Sequence, residues 1–264
     1  MTQEILTHQS GGVFTIQMNR PGKKNALTQN MYRMMAEGLQ KADADDAVQV
    51  VILRGTDGLF TAGNDIGDFQ TRSAGRDDGG PPTTTLFFEA VLGLRKPLIA
   101  AVQGYAIGIG TTMLLHCDLV FAGKSALFSL PFVNLGLCPE FGSSFILPRL
   151  AGHQRAAELL LLGERFGPEK AREVGIVNRV LNDDLLMDEV METALKLAAK
   201  SPAALMVTKK LMKGHSARTI EEAIKADGEM FAALLAGPEA REAFDAFANK
   251  RAPDFSKFKT GTPT

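Results

Sequence analysis

Residues 96–110 read KPLIAAVQGYAIGIG, an apolar run that passes directly into a glycine-rich turn. Short continuous apolar runs are typical of strands that are buried on both faces of a parallel sheet. Pro97 opens this strand over 98–102, and a helix is predicted to begin near Thr111. A buried strand, a tight turn and a helix in this order predict an α/β fold.

Further strands and helices are predicted on both sides of this unit. β-rich runs at 4–9 and 13–18 flank a Ser-Gly-Gly turn and predict an amino-terminal hairpin. Branched apolar residues predict strands at 48–53 and 118–122, and 128–135 is predicted to be extended. Helices are predicted over 86–94 and after a cap at Thr28, with one apolar face made of Met31, Met34, Met35, Leu39 and Ala42.

The chain after residue 200 is predicted to be helical. Its signals are a cap followed by proline, a capping box and a Gly-Pro boundary: Ser201-Pro202, Thr219 with Glu222, and Gly237-Pro238. We therefore divide the chain into a core over 1–200 and a helical carboxyl-terminal region over 201–264. The stretch 71–85 is polar and rich in Gly, Pro and Asp and is predicted to be a loop, and we interpret 67–82 as a segment that closes over substrate.

Composition and charge exclude several classes of protein. Of the 264 residues, 45% are hydrophobic and 22% are charged, which excludes a disordered chain. The 29 basic and 30 acidic residues give a net charge of −1, so no basic field attracts nucleic acid or anionic lipid. Pairs such as Lys209-Lys210 are typical of a solvated face. No apolar run reaches the roughly 18 residues of a membrane span, and we expect neither nucleic acid nor a membrane as a partner.

The spacing of the cysteines and histidines in the sequence does not indicate a metal site. Cys117 and Cys138 lack the spacing of a zinc site and are interpreted as core thiols in a reducing compartment. The polar amino terminus has no signal-peptide pattern, so a cytoplasmic location is expected. No two histidines lie at ligand spacing, and His116 is interpreted as a core histidine within an apolar helix.

Two small-residue turns are candidates for binding an oxygen atom. Ala62-Gly63-Asn64 and Gly108-Ile109-Gly110 each follow a predicted strand and open a helix. The first N–H groups of a helix have no intrahelical partner, and glycine permits close approach. Two such ends that face each other would form an oxyanion hole. The alternative interpretation is two ordinary tight turns, and the spacing leaves both open.

Glu140 is the candidate proton-transfer group. It lies between the apolar stretch 135–138 and Phe141. A carboxyl in apolar surroundings loses hydration, which raises its pKa toward the range useful for proton transfer. The alternative is a glutamate that compensates the dipole of a helix beginning at Ser143.

At these residues the sequence resembles the crotonase family of enoyl-CoA hydratases and isomerases. The resemblance extends from about residue 4 to 250 and rests on these ordered motifs: 19–21, 25–27, 60–66, 96–108, 117–120, 148–150 and 171–177. It implies a ββα spiral core with a helical carboxyl-terminal oligomerisation region, and a homotrimer or dimer of trimers. It also implies acyl-CoA thioester substrates and no cofactor besides the coenzyme A of the substrate.

The resemblance also implies roles for individual residues. The thioester oxygen would accept hydrogen bonds from the N–H groups of Asn64 and Ile109, which favours the oxyanion-hole interpretation. The bound coenzyme A would be bordered by Lys23, Lys24, Ala62, Asp65 and Ile66.

The sequence departs from the family's hydratases at both of their catalytic glutamates. Thr112 and Phe132 stand at these two positions, and neither side chain can activate water. Glu140, in a Pro-Glu turn, instead resembles the base of the Δ3,Δ2-enoyl-CoA isomerase branch, and the bulky Ile109 also fits that branch. Phe132 is expected to border the substrate and exclude water.

Three functions follow as hypotheses. The first is an isomerase in which one base moves a proton from C2 to C4 through a dienolate. The second is a hydratase, or another lyase of the family, that uses Asp68 or Glu89 as its acid. The third is a crotonase-like binding protein without catalytic activity.

Overall fold

A computed structural model describes residues 3–56, 58–67, 83–214 and 216–258. The strands in chain order are β1 (Ile5–Ser10), β2 (Val13–Met18), β3 (Val50–Arg54), β4 (Leu98–Val102), β5 (Tyr105–Ile107), β6 (Leu119–Gly123), β7 (Leu127–Ser129), β8 (Arg165–Phe166) and β9 (Arg179–Leu181). Within the described residues, the main sheet has the order β1-β2-β3-β4-β6-β9, and β5-β7-β8 form a smaller sheet. β1 and β2 form the expected antiparallel hairpin, and the other pairs of the main sheet are parallel.

The helices in chain order are α1 (Gln29–Ala44), α2 (Thr83–Gly93), α3 (Ile109–Thr112), α4 (Ser143–Ala151), α5 (His153–Leu162), α6 (Pro168–Glu173), α7 (Leu186–Ala198), α8 (Pro202–Gly214), α9 (Ala217–Leu235) and α10 (Pro238–Ala248). Single 3-10 turns lie at Pro21–Lys23, Met113–His116 and Val133–Leu135. Within the described ranges no helix is both long enough and apolar enough to cross a membrane. The α/β class predicted from the sequence is confirmed.

Alternate residues of the central strands enter two hydrophobic clusters on opposite faces of the main sheet. Val50 and Ile52 of β3 pack with α7 on one face, whereas Val51 and Leu53 enter the larger cluster on the other. Side chains of a strand alternate between its two faces, so a strand covered on both sides is apolar throughout. All five residues of Leu98–Val102 are buried for this reason.

Several local predictions are confirmed at the atomic level. The Thr28 hydroxyl accepts a hydrogen bond from the N–H of Met31 at 3.2 Å and caps α1. Pro202 is the first residue of α8, and the Ser201 hydroxyl accepts from the N–H of Ala204 at 3.4 Å. Pro238 likewise begins α10.

Two local predictions are wrong. The capping box does not form, because α9 already begins at Ala217 and the Glu222 carboxylate instead pairs with Arg218 at 2.9 Å. The stretch 128–135 is extended only in β7, since the chain then turns into the 3-10 helix after Phe132.

Two further predictions remain open. The segment 67–82, expected to close over substrate, lies outside the described residues except for Gly67. The predicted loop over 71–85 is wrong at 83–85, because these residues already belong to α2. No observation tests the division of the chain at residue 200, which stays a prediction.

A buried ion pair joins α8 to the sheet. Lys209 Nζ lies 2.6 Å from Asp118 Oδ2 and donates to the carbonyl of Lys96 at 2.7 Å. The same carboxylate oxygen accepts from the N–H of Leu98 at 2.8 Å. Lys209 is therefore a buried residue and does not belong to a solvated face, whereas the adjacent Lys210 is exposed.

We expect Lys209→Met to lower the free energy of unfolding by about 3 kcal/mol, since removal of one partner leaves a poorly compensated buried charge. Lys210→Met is the matched control and should change it by less than about 0.5 kcal/mol. Urea unfolding of the two variants measures both values. Equal losses of unfolding free energy in the two variants would contradict a stabilising role for the Lys209–Asp118 ion pair.

Candidate active site

The two small-residue turns lie directly against each other. The N–H of Thr61 donates to the carbonyl of Tyr105 at 2.7 Å, and the N–H of Ile107 donates to the carbonyl of Thr61 at 3.2 Å. Two glycines permit this approach. A Cβ on Gly63 would lie 2.7 Å from the Ile107 oxygen, and a Cβ on Gly110 would lie 2.7 Å from Thr61 Cγ2. The structure thus brings together the turns that an oxyanion hole requires.

The backbone N–H of Asn64 is directed away from its own β-bridge. The β-bridge joins Asn64 to Leu27. The N–H of Leu27 donates to the carbonyl of Gly63 at 2.8 Å, and the carbonyl of Leu27 accepts from the N–H of Asp65 at 2.9 Å. Successive backbone groups alternate in direction along an extended chain, so the N–H of Asn64 points to the opposite side. No acceptor for it lies within the described residues. The side-chain oxygen of Asn64 accepts a hydrogen bond from the Tyr32 hydroxyl, which fixes the residue.

The N–H of Ile109 is the equivalent group on the second turn. Ile109 is the first residue of α3, where an N–H has no intrahelical acceptor. Its neighbours are bonded, since Gly108 donates to the Ser129 carbonyl at 2.9 Å and Thr111 donates to the Gly108 carbonyl at 2.8 Å. The described part of the chain contains no acceptor for Ile109 itself.

A cavity of about 1080 Å³ opens beside Asn64. Its walls come from α2, from the turn at 140–141 and from α9 of the carboxyl-terminal region. Its lining is mostly apolar and includes Leu27, Phe88, Leu92, Phe141, Ile224 and Phe231. Glu140 lies in this wall, which places a carboxyl group and Asn64 around one apolar space.

The carboxyl group of Glu140 is shielded from solvent at one oxygen. Its Oε1 is buried, and the described residues offer it no hydrogen-bond partner. Burial and, to a lesser degree, the nearby Asp227 carboxylate raise the pKa of Glu140 to about 8. A carboxyl with such a pKa exchanges protons readily near neutral pH.

The alternative role for Glu140, compensation of a helix dipole, is filled by another residue. The carbonyl of Glu140 is hydrogen-bonded to the start of α4, since it accepts from the N–H of Ser143 at 3.1 Å and from the Ser143 hydroxyl at 2.6 Å. Asp227 of α9 accepts a hydrogen bond from the Ser144 hydroxyl in the first turn of α4. Asp227 is therefore the acid at this helix start, where negative charge is favoured.

Asp65 also lines the cavity, but its carboxylate is held by the protein. Arg20 Nη1 lies 2.6 Å from Asp65 Oδ2. Burial opposes ionisation of Asp65, yet the hydrogen bonds from Arg20 and from the Gly67 N–H, together with the charges of Arg20 and Lys23, outweigh it and lower the pKa of the carboxyl. The pair fixes the turn that carries Asn64.

Apart from Asn64, Asp65 and Glu140, the residues assigned from the resemblance lie outside the cavity wall, and Ile109 is among them. Ala62 and Ile66 are half-buried in the turn, and Lys23 and Lys24 are exposed. Lys24 Nζ lies 5.0 Å from the centroid of the Tyr105 ring.

Phe132 does not line this cavity, and its place beside the substrate stays a prediction. Phe132 is buried, and its ring meets the ring of Phe231 edge-on at 6.5 Å between centroids. Phe231 forms the wall, so Phe132 lies one layer behind it. The family's other glutamate position, Thr112, is also buried.

The alternative acids differ in position. Glu89 of α2 lines the cavity as an exposed residue, and Asp68 lies outside the described residues. Sequence reasoning did not identify Tyr32 or Asp227 at the site. Asp227 has no distinctive signal in the sequence, because its helix also contains Glu221, Glu222 and Glu229.

The six-stranded sheet with helices on both faces, and the cavity beside two facing turns, define a protein of the crotonase fold. The chain belongs to the enoyl-CoA hydratase/isomerase family, whose model matches residues 8–258. It is therefore an enzyme of a family that acts on acyl-CoA substrates.

Relatives and solved structures agree with this assignment. The chain is 34% identical over 262 residues to the 1,2-epoxyphenylacetyl-CoA isomerase of Escherichia coli (strain K12), which covers 97% of this chain and 99% of the relative. It is 31% identical over 254 residues to the 2,3-dehydroadipyl-CoA hydratase of the same organism, covering 96% and 98%. A crystal structure of an enoyl-CoA hydratase/isomerase from Pseudoalteromonas atlantica T6c has a TM-score of 0.90 and 37% identity, covering 96% of this chain and 100% of that chain.

Proposed function

We propose that this enzyme is a Δ3,Δ2-enoyl-CoA isomerase with Glu140 as its single proton-transfer group. The observation that supports this most is the shielded, unpartnered carboxyl of Glu140 in the wall of the cavity that Asn64 lines. A relative named as an isomerase of an acyl-CoA compound is consistent with the proposal.

The mechanism needs only two backbone donors and one carboxylate. The thioester oxygen accepts hydrogen bonds from the N–H groups of Asn64 and Ile109, each contributing about 3 kcal/mol in the transition state. The C2 proton becomes acidic, and Glu140 accepts it, leaving a dienolate. Glu140 then returns the proton to C4, and the double bond moves from C3–C4 to C2–C3. No water and no cofactor is consumed.

A hydratase is the second candidate, because Glu89 lines the same cavity as Glu140. Two carboxyl groups around one space are what acid and base catalysis of water addition requires. Several relatives are named as hydratases. This candidate needs Glu89 to act from an exposed position.

Ultraviolet absorbance distinguishes the two reactions. The enzyme is mixed with a 3-enoyl-CoA and, in parallel, with crotonyl-CoA. An isomerase produces the absorbance of a newly conjugated thioester from the first substrate and leaves the second unchanged. Loss of crotonyl-CoA absorbance without any rise from the 3-enoyl-CoA would identify a hydratase and reject the proposal.

The pH dependence of the reaction should report the ionisation of Glu140. Only the carboxylate can accept the C2 proton, and its pKa is raised to about 8. We expect kcat/KM for a 3-enoyl-CoA to rise with pH and to level off above an apparent pKa of about 8. A profile that is flat from acidic to alkaline pH would contradict the assignment of the base.

We also propose that the enzyme assembles as a homotrimer or dimer of trimers, as the family resemblance implies. Val207, Leu211 and Met212 of α8 are exposed in the single chain, and apolar side chains grouped on one helix favour an interface. Analytical ultracentrifugation tests this proposal, and a monomer would reject it.

A further inference from the structure

The residue after the proposed base has an unusual backbone conformation. Phe141 has a φ of 56°, in the left-handed region that side chains with a Cβ rarely occupy. Such a conformation persists only where the surrounding structure holds it. Because Phe141 follows Glu140 directly, whatever fixes Phe141 also fixes the peptide from which the Glu140 side chain extends.

Aromatic stacking holds the Phe141 ring from both sides. Its ring is nearly parallel to that of Phe88 of α2, with 3.7 Å between centroids and 6° between planes. The ring of His116 stacks on Phe141 with 3.8 Å between centroids. The three rings form one stack between α2 and the segment after α3.

A hydrogen bond holds the Phe141 backbone. His116 Nε2 lies 2.8 Å from the carbonyl oxygen of Phe141. A carbonyl oxygen can only accept, so Nε2 carries the hydrogen and donates it. His116 is buried, and burial lowers the pKa of its imidazole to about 4, which keeps the ring neutral.

His116 lies in the same continuous segment as a proposed oxyanion donor. α3 begins at Ile109 and passes directly into the 3-10 turn Met113–His116. Lys213 of α8 donates to the carbonyl of His116 at 2.9 Å and anchors the end of this segment. One short segment therefore carries the Ile109 N–H at its start and the contact to Phe141 at its end.

We propose that His116 is a positioning residue, which sets Glu140 relative to the Ile109 N–H by holding the carbonyl and ring of Phe141. This inference rests on the proposed function for its catalytic consequence. The Oε1 atom of Glu140 has no hydrogen-bond partner within the described residues, so the backbone of the turn has to fix it. The charged groups near this arrangement are Asp227 from α9 and Lys213 from α8.

Two substitutions at His116 separate the hydrogen bond from the stacking. His116→Phe keeps an aromatic ring but removes the donor, and His116→Gln keeps an N–H near the position of Nε2. His8→Gln, on an exposed strand, is the control. The measurements are kcat and KM for a 3-enoyl-CoA, and the titration of Glu140 by carboxyl NMR of isotope-labelled protein, assigned with Glu140→Gln.

We expect His116→Phe to lower kcat by up to about 100-fold with little change in KM, because a small displacement of a reacting group has this effect. Water that reaches the displaced carboxyl should also bring the pKa of Glu140 below about 8. His116→Gln should keep most of the wild-type kcat and a pKa of Glu140 close to that of the wild type. His8→Gln should match the wild type.

Wild-type kcat and Glu140 titration in His116→Phe would overturn the inference. So would equal loss of kcat in both His116 variants with the Glu140 titration unchanged, which indicates a purely structural role. If His116→Phe does not fold, His116→Asn replaces it, since its amide is too short to reach the carbonyl. If the wild type does not isomerise 3-enoyl-CoA, the proposed function fails, and the titration still decides whether His116 positions Glu140.

Discussion

Replacing Glu140 by glutamine is expected to lower kcat for 3-enoyl-CoA isomerisation by about 1000-fold, the middle of the range for a general base. Glutamine has the shape of glutamate but cannot accept the C2 proton. Binding of a saturated acyl-CoA should change by less than about threefold, because the lost interaction acts in the transition state. Stopped-flow or steady-state absorbance gives kcat, and calorimetry gives Kd.

Glu89→Gln is the matched control for this experiment. Glu89 lines the same cavity but is exposed, and the isomerase mechanism gives it no proton to transfer. Its variant should retain the wild-type kcat within about threefold. The opposite pattern, with activity lost at Glu89 and kept at Glu140, would contradict the base assignment and favour the hydratase candidate.

The same Glu140→Gln variant has an expected effect on stability that depends on pH. The carboxyl has a pKa of about 8 in the folded protein and an ordinary value of 4.5 when unfolded. The folded state therefore binds the extra proton, and this stabilisation is present below about pH 4.5 and is lost as pH rises through about 8. The wild type should therefore lose stability as the pH rises from about 4.5 to about 8, whereas Glu140→Gln should not. The Tm of the variant minus the Tm of the wild type should increase over this range.

The second large effect is expected from Gly110→Ala. The added Cβ would lie 2.7 Å from Thr61 Cγ2 and 3.2 Å from the Thr61 oxygen, so the two turns must separate. Separation misplaces the N–H of Ile109 relative to that of Asn64. Loss of one oxyanion donor typically costs about 100-fold or more in kcat. Since alanine is a better helix former than glycine, the helical backbone of α3 is not itself the cause.

Gly167→Ala is the control for Gly110→Ala. Gly167 has an extended backbone with φ −83°, and no atom lies within 4 Å of the added Cβ. We expect wild-type kcat in this variant and a large loss in Gly110→Ala, measured at a temperature where both are folded. Wild-type kcat in Gly110→Ala would indicate that the facing turns do not stabilise the reaction.

Local signals in the sequence were sufficient for much of the fold. The hairpin of β1 and β2, the buried strand β4 and the cap at Thr28 depend on neighbouring residues, and all three are confirmed. The two turns and Glu140 were also recognisable, because glycine and a carboxyl in apolar company are unusual at such places.

Contacts between distant residues could not be predicted in this way. His116 was correctly interpreted as a core histidine, but its partner Phe141 lies 25 residues further along the chain. Asp227 meets Ser144 across 83 residues. The capping box predicted at Thr219 does not form, because α9 already begins at Ala217. The residue types at 219 and 222 do not show where the helix begins. The place of Phe132 behind Phe231 depends on how α9 packs, which no short pattern encodes.

Product analysis in heavy-oxygen water tests the central claim most directly. The wild-type enzyme is incubated with a 3-enoyl-CoA in this solvent, and the thioester products are separated and weighed by mass spectrometry. Proton transfer by Glu140 predicts a conjugated product with the mass of the substrate and no heavy oxygen. A product heavier by one molecule of the labelled water, in place of the isomer, would contradict the claim and show that the enzyme adds water.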